Sequence, residues 1–125
     1  MKRKIKIGGN KLMVKYAIPV SGGQVCPHFG HCEQFALIDV DETKKGIVGK
    51  KMVTPPPHQP GLLPPWLAQQ GVNRVIAGGM GAHAQELFQQ NNVEVIMGAM
   101  ESDPEKAVLS HLNGVLETGG NTCDH

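Results

Sequence analysis

Residues 74–81 read Arg74-Val75-Ile76-Ala77-Gly78-Gly79-Met80-Gly81, a short apolar strand followed at once by a glycine-rich turn. Apolar residues then recur at the helical period over about 82–90, and a second strand is predicted over 93–97. The Ser-x-x-Glu spacing of a capping box at 102–105 predicts a last helix that ends near Gly114. Two successive strand–helix units require parallel pairing of their strands through right-handed crossovers.

The N-terminal half of the chain has the pattern of a meander. Apolar and β-branched residues cluster over 14–20, 34–40 and 46–53, and a helix is predicted over 62–70 after a proline-rich connector. We therefore expect a single α/β domain at 13–117. Its mixed five-stranded sheet is made of a three-strand meander and then two strand–helix units, with helices packed on it. Residues 1–12 are expected to be a disordered basic leader, and residues 118–125 a flexible Cys/His tail.

Composition narrows the class of protein. Twelve basic and 11 acidic residues give a formal net charge of +1 over 125 residues, so no overall field favours nucleic acid or an anionic membrane as a partner. No apolar run has the length of a membrane span, and the N-terminus has no hydrophobic signal core. Three cysteines, two of them interleaved with histidine, suit a reducing compartment, and we expect a cytoplasmic protein.

The densest chemistry lies in the Cys/His loop, Cys26-Pro27-His28-Phe29-Gly30-His31-Cys32. Two thiols and two imidazoles within seven residues are soft ligands suited to zinc, copper, iron or metal–sulfur units. We predict that Cys26, His28, His31 and Cys32 are metal ligands. The preceding turn, Ser21-Gly22-Gly23, is added to the cofactor-binding residues. A disulfide between Cys26 and Cys32 is the alternative for the two thiols.

The glycine loop, Gly78-Gly79-Met80-Gly81, is the second candidate for cofactor binding. Glycine allows a ligand to approach the backbone amides, and the start of the following helix favours an anion. A Gly-x-Gly-x-x-Gly fingerprint and a Walker lysine are both absent, so nucleotide binding is weakly indicated. The alternatives are that the glycines serve only tight turns and that Met80, instead of contacting a ligand, fills a gap in the apolar core.

Ligands of such sheets bind beyond the carboxyl ends of the parallel strands. If strands 16–20, 74–77 and 93–97 are parallel neighbours, three loops meet at that edge, at 21–32, 78–83 and 98–102. His58 in the proline-rich connector and His83 in the first turn of its helix are further candidates for cofactor binding. Each is alternatively a solvated surface side chain. His111, on the inner stripe of the last helix, is predicted to be structural.

Three motifs then point to a family: Ala17-Ile18-Pro19-Val20-Ser21-Gly22-Gly23, the run from His28-Phe29-Gly30 to Phe35, and Val75–Gly81. Over about 14–116 the sequence resembles the dinitrogenase iron-molybdenum cofactor biosynthesis accessory family, which includes small orange proteins that hold a molybdenum-copper sulfide cluster. The resemblance implies a ribonuclease H-like fold without nuclease activity. It also implies noncovalent carriage of an anionic cluster of the Mo-Cu-S or Fe-Mo-S type, with His28 as the best candidate ligand.

The sequence thus predicts a non-catalytic carrier that exchanges such a cluster with a donor or acceptor protein. Two alternatives stay open. One is a thiol or redox enzyme in which Cys26 or Cys32 is activated by His28 or His31. The other is a structural zinc protein whose site is completed by Cys123-Asp124-His125.

Overall fold

A computed structural model of the chain describes residues 5–7, 11–26, 29, 32–56 and 61–116. The elements in chain order are β1 (Ile5–Ile7), β2 (Lys11–Ser21), β3 (Gln24–Val25), β4 (Gln34–Asp41), β5 (Gly46–Val53), α1 (Leu63–Gln69), β6 (Arg74–Ile76), α2 (Ala82–Gln90), β7 (Glu94–Ile96) and α3 (Pro104–Leu112). None of the helices in these ranges has the length and apolar character needed to cross a membrane.

The strands form one mixed sheet in the order β5-β4-β2-β6-β7, and the short strands β1 and β3 pair with β2. The meander β2-β4-β5 is antiparallel. β6 lies parallel to β2, with Arg74 opposite Tyr16, and β7 lies parallel to β6, with Glu94 opposite Arg74. The predicted five-stranded α/β fold is therefore confirmed, with β1 and β3 as two additional short strands.

The structure describes part of the predicted leader, residues 1–12, as strand. Ile5–Ile7 forms β1, which pairs antiparallel with Lys11–Met13 at the start of β2. The sequence carries the reason: isoleucine alternates with lysine over Ile5–Ile7, and alternation is the strand period.

The start of α3 differs by one residue from the predicted capping box. Asp103, not Ser102, is the N-cap, and its carboxylate accepts hydrogen bonds from the amides of Glu105 (2.9 Å) and Lys106 (3.3 Å). Pro104 then occupies the first helical position, where its missing amide donor costs nothing. The proline fixes the register of the helix, so the residue directly before it becomes the cap.

Each face of the sheet carries its own apolar core. α3 packs on one face, over a cluster of Val14, Tyr16, Ile18, Val20, Ala36, Ile38, Val40, Ile76, Ala107 and Val108. α1 and α2 pack on the other face, over a cluster of Ala17, Phe35, Leu37, Leu67, Val72, Val75, Ala77, Met80, Phe88 and Val93. Because helices cover both faces of the sheet, the loops that could form a site lie at the carboxyl edge of the parallel strands.

Candidate functional site

Three loops at the carboxyl edge of the parallel strands are joined by backbone hydrogen bonds. The Phe29 amide, within the Cys/His loop, donates to the Gly79 carbonyl of the glycine loop (3.0 Å). The Gly98 amide donates to the Gly78 carbonyl (3.0 Å), and the Val25 amide donates to the Ser102 carbonyl (2.7 Å). The predicted convergence of the three loops is confirmed, because each is bonded to at least one of the others.

Phe29 anchors the Cys/His loop in the core. Its ring lies 5.6 Å from the ring of Phe35 on β4 and 5.4 Å from that of Phe88 on α2, both in edge-to-face geometry. Phe35 and Phe88 are fully buried. Phe29 is not among the site residues predicted from the sequence, which are the thiols and imidazoles of this loop. The available signal was an aromatic residue at the centre of a polar loop, where burial is the simplest reason for its presence.

The two thiols of the Cys/His loop are close to the core and differ in exposure. Cys26 is buried and its amide donates to the Pro19 carbonyl (2.8 Å), whereas Cys32 is half-buried against the cluster under α2. The two are not joined by a disulfide. Burial, and next the nearby Cys26 thiol, raise the pKa of Cys32 to about 11. A nucleophilic cysteine needs a lowered pKa, so the structure gives the thiol-enzyme alternative no support at Cys32.

The Cys32 thiol should therefore be alkylated slowly. At pH 8 its thiolate fraction is small, and we expect iodoacetamide to modify Cys32 in the folded chain about tenfold or more slowly than in the urea-unfolded chain. Peptide mass spectrometry of a time course measures this rate. Equal rates in the folded and unfolded chains at pH 8 would contradict the environment described for Cys32.

The four carbonyl groups of the glycine loop are all occupied by donors from the protein itself. Gly78 and Gly79 accept the interloop bonds from Gly98 and Phe29. The Met80 carbonyl accepts from the Gln85 side chain (2.9 Å), and the Gly81 carbonyl accepts from the Gln85 amide (3.2 Å). Since the acceptors are used inside the protein, the backbone groups that the loop can offer to a ligand are amide donors, and Gly78 and Gly81 are the two residues of the loop that are not buried.

The start of α2 adds further donors at the same place. In the described part of the chain Gly81 is the N-cap of α2 and makes no side-chain cap hydrogen bond, in contrast to Asp103 at α3. The first amides of a helix have no intrahelical acceptor and carry partial positive charge. Gly81 and His83 are exposed. A Cβ at Gly81 would meet nothing within 4 Å, which leaves open space in front of the loop.

Met80 does not contribute its thioether to this surface. Its side chain is 1% exposed and belongs to the apolar cluster beneath α1 and α2. This burial supports the alternative that Met80 fills the apolar layer and gives no support to a contact between its sulfur and a ligand. Met80 is buried because it lies between β6 and α2, and its side chain packs into the apolar cluster that these two elements share.

The turn Ser21-Gly22-Gly23 joins β2 to β3 as a two-residue hairpin loop. Both glycines have positive φ, +61° at Gly22 and +82° at Gly23, which explains glycine at both positions. The Gly22 amide donates to the Glu33 carboxylate (3.2 Å). The turn thus holds the start of the Cys/His loop, and a binding role for these three residues stays a prediction.

Several predicted ligands lie outside the residues that the structure describes: His28, His31 and His58, together with Cys123-Asp124-His125 of the predicted tail. Among the described residues there is no group of three or more histidine, cysteine, aspartate or glutamate side chains that could hold a metal ion. The described part of the site consists of Cys26, Phe29 and Cys32, the glycine loop, and His83.

His111 belongs to a different cluster, on the face covered by α3. Its Nδ1 lies 2.7 Å from the Tyr16 hydroxyl, which also accepts a bond from Arg74 Nη1 (2.8 Å). Arg74 pairs with Glu42 through Nη2 (2.7 Å) and with Glu94 through Nε (3.2 Å). Arg74 begins β6, so this network lies at the opposite end of the parallel strands from the loops. The structural role predicted for His111 agrees with these contacts.

The network predicts an acid-sensitive stability. Burial, and next the positive charge of Arg74, lower the pKa of His111. Below the ordinary histidine value of about 6.5 the unfolded chain therefore binds the proton more readily, so the free energy of unfolding should fall as pH falls. Urea unfolding at pH 5 and pH 7.5 measures the change. We expect His111→Gln to show a smaller difference between the two pH values than the natural chain, and an equal difference would contradict the assignment.

Comparison with known proteins places this site in a family. A family described as "Dinitrogenase iron-molybdenum cofactor" matches residues 13–114, which include all three loops. The chain belongs to this family. The family is related by its description to the iron-molybdenum cofactor, and the resemblance seen in the motifs is confirmed.

Relatives of known structure share the fold. The crystal structure of PH0822 superposes with a TM-score of 0.77 at 23% identity, covering 84% of this chain and 94% of that one. The apo form of the orange protein from Desulfovibrio gigas gives a TM-score of 0.66 at 22% identity, over 86% and 93% of the two chains. An uncharacterised protein of Methanocaldococcus jannaschii is 28% identical over 108 residues, 84% of this chain and 91% of its own.

Proposed function

We propose that this protein is a non-catalytic carrier for an anionic metal–sulfur cluster of the Mo-Cu-S or Fe-Mo-S type, which it exchanges with a donor or acceptor protein. The observation that carries the proposal is the engagement of the glycine-loop carbonyls inside the protein. All four of its carbonyls are bonded to the protein, and the uncapped start of α2 follows directly. An edge built from amide donors favours a polyanion.

Soft ligands adjoin the amide donors. The bond between Phe29 and Gly79 ties the Cys/His loop to the glycine loop, so Cys26 and Cys32 belong to the same edge. In the proposal Cys26, His28, His31 and Cys32 bind metal atoms of the cluster, while amides of Gly78, Gly79 and Gly81 and the exposed His83 face its sulfur atoms. We also assign His58 and the turn at 21–23 to the site. Met80 lies in the apolar core and is assigned no contact with the cluster.

This combination suits exchange better than permanent binding. Amide donors and a helix start neutralise charge without forming bonds to metal, so an intact inorganic unit can arrive and leave as one piece. A closed zinc site would instead require four converging protein ligands. The family relationship and the fold shared with the apo form of the orange protein support a cofactor-related role.

Anaerobic purification followed by metal analysis and a visible spectrum tests the proposal. We expect molybdenum or iron together with sulfide, and charge-transfer bands in the visible region. One stoichiometric zinc without bands would indicate the structural zinc protein. A metal-free protein that fails to bind added tetrathiomolybdate, with or without Cu(I), or an iron–sulfur cluster would contradict the carrier.

Two variants locate the metal in this experiment. His28→Ala should lower retention of the cluster while changing the free energy of unfolding by less than about 1 kcal/mol. Cys123→Ser is the matched control, because the carrier does not need the tail thiol. Retention that depends on Cys123 and not on His28 would favour a zinc site closed by the C-terminus.

A further inference from the structure

The His111 network, formed by Tyr16, Glu42, Arg74, Glu94 and His111, connects the elements that carry the three loops of the site. Tyr16 lies on β2, which leads through β3 into the Cys/His loop, and Arg74 begins β6, which leads into the glycine loop. Glu94 begins β7, which leads into the third loop, and His111 lies in the last turn of α3, which follows that loop. Each of these four elements therefore adjoins one of the joined loops.

Backbone pairing between the parallel strands is short, so side-chain contacts contribute to their alignment. β6 has two register pairs with β2 and three with β7, whereas β2 has eight with β4. At the first β2–β6 pair the Arg74 guanidinium donates to the Tyr16 hydroxyl, and its Cζ lies 5.4 Å from the centre of the Tyr16 ring. The same guanidinium pairs with Glu94 on β7. Arg74 thus connects β2, β6 and β7 at one point.

The hydrogen-bond directions in the network require a neutral His111. A guanidinium only donates, so the Tyr16 hydroxyl accepts from Arg74 and has its own proton left for His111 Nδ1, 2.7 Å away. A protonated imidazole has no acceptor nitrogen, and it places a second positive charge beside Arg74. Tyr16 is 0% exposed, so no water replaces the lost bond. Protonation of His111 therefore removes the hydrogen bond that joins the end of α3 to β2.

The other charged groups that face His111 do not cancel this effect. Glu42, in the turn after β4, and Glu94, on β7, both favour the protonated imidazole, but each carboxylate is already paired with Arg74. Burial, and next the charge of Arg74, outweigh them and lower the pKa of His111. Tyr16 remains protonated, because burial raises its pKa. Uptake of a proton by His111 is therefore linked to opening of the network.

We propose that the His111 network is a proton-responsive lock that positions the three loops of the site and loosens them in acid. α3 carries the effect, because it extends from the loop at 98–102, where the Ser102 carbonyl accepts from Val25, to the contact between His111 and Tyr16. The consequence, weaker retention of a cluster, rests on the proposed function. The loosening itself rests on the network alone.

Hydrogen exchange in the cluster-free protein tests the loosening. The amides of Gly98 and Ala99 bond to carbonyls at the end of β6, and we expect their protection to fall at least about threefold from about pH 7.5 to about pH 5. The Gly71 amide, bonded at the end of α1 on the other face, is the control and should keep its protection. Protection factors from ¹H–¹⁵N spectra remove the intrinsic pH dependence of exchange. Unchanged protection at Gly98 and Ala99, or an equal fall at Gly71, would overturn the proposal.

Three variants separate the lock from general instability. His111→Gln takes up no proton, so its loop amides should lose the acid-induced fall. Tyr16→Phe keeps the buried ring without the hydroxyl, and its loop amides should be weakly protected to the same extent at both pH values. Glu105→Gln removes an exposed ion pair with Lys50 (2.8 Å) from the same helix and should respond to acid as the natural chain does. An acid-induced fall that persists in both His111→Gln and Tyr16→Phe would contradict the lock.

Binding of tetrathiomolybdate at about pH 7.5 tests the connection to the site. Tyr16→Phe should bind it at least about threefold more weakly than Glu105→Gln, because the loops of Tyr16→Phe are loosened at neutral pH. Equal binding by these two variants would overturn the coupling between lock and site. If the natural chain itself does not bind, the carrier proposal fails, and the exchange measurements still decide whether the lock loosens the loops.

Discussion

Phe29→Ala should reduce retention of a bound thiometallate by about tenfold or more and lower the free energy of unfolding by about 2 kcal/mol. A fully buried phenylalanine costs roughly 3–5 kcal/mol on truncation to alanine, and Phe29 is only partly buried. Without the ring, its edge-to-face contacts with Phe35 and Phe88 are lost. The Cys/His loop is then held less firmly against Gly79, and the soft ligands and the amide donors no longer share a fixed geometry.

Two controls separate loop anchoring from general instability. Phe29→Leu keeps an apolar anchor and should retain the cluster within about threefold of the natural chain. Val40→Ala removes packing from the other face of the sheet, on β4, and should cost about 1–2 kcal/mol with no loss of retention. Metal content after anaerobic gel filtration and urea unfolding of the same samples give both quantities. Equal loss of cluster in Phe29→Ala and Val40→Ala would contradict a positioning role for Phe29.

Gly81→Asp should weaken cluster binding by about tenfold or more while leaving stability unchanged or slightly raised. A Cβ at Gly81 meets no atom within 4 Å, and the backbone at Gly81 has φ −68°, which any residue adopts. Aspartate is a better N-cap than glycine, by a few tenths of a kcal/mol, because its carboxylate accepts from the first helical amides. The same carboxylate occupies the donors that the proposal assigns to the cluster, and it repels an anion.

The opposite signs of these two effects make the variant informative. Gly46→Asp adds the same charge at another open glycine, at the start of β5, and serves as the matched control. We expect it to bind the cluster as the natural chain does. If Gly81→Asp retained the cluster fully, the amides at the start of α2 would be excluded from the site.

Most of the fold could be predicted because local pattern and topology agree. The strands at 74–76 and 94–96 each adjoin a helix, and this alternation favours parallel pairing, of β6 with β2 and of β7 with β6. β1 was missed because three residues are too few for a period to stand out among lysines. The cap of α3 was misplaced by one residue because Ser102 and Asp103 are both good caps, and only the position of Pro104 distinguishes them.

The site could be predicted only as far as chain topology determines it. The meeting of the loops follows from strand order, which the sequence pattern indicates. The hydrogen bonding of the loop carbonyls could not be predicted in this way. The Gly78 and Gly79 carbonyls accept from the amides of Gly98 and Phe29, which are distant in sequence. The burial of Met80 likewise depends on the packing of α1 and α2, which single-residue preferences do not reveal.

An anaerobic titration of the ¹⁵N-labelled protein with tetrathiomolybdate tests the central claim most directly, because each loop reports separately. The account predicts saturable shifts of the amide signals of Phe29, Gly79, Gly81 and His83 together, while those of Gly46 and Lys50 on the β5 edge stay in place. Absence of binding, or shifts confined to residues away from the three joined loops, would contradict it.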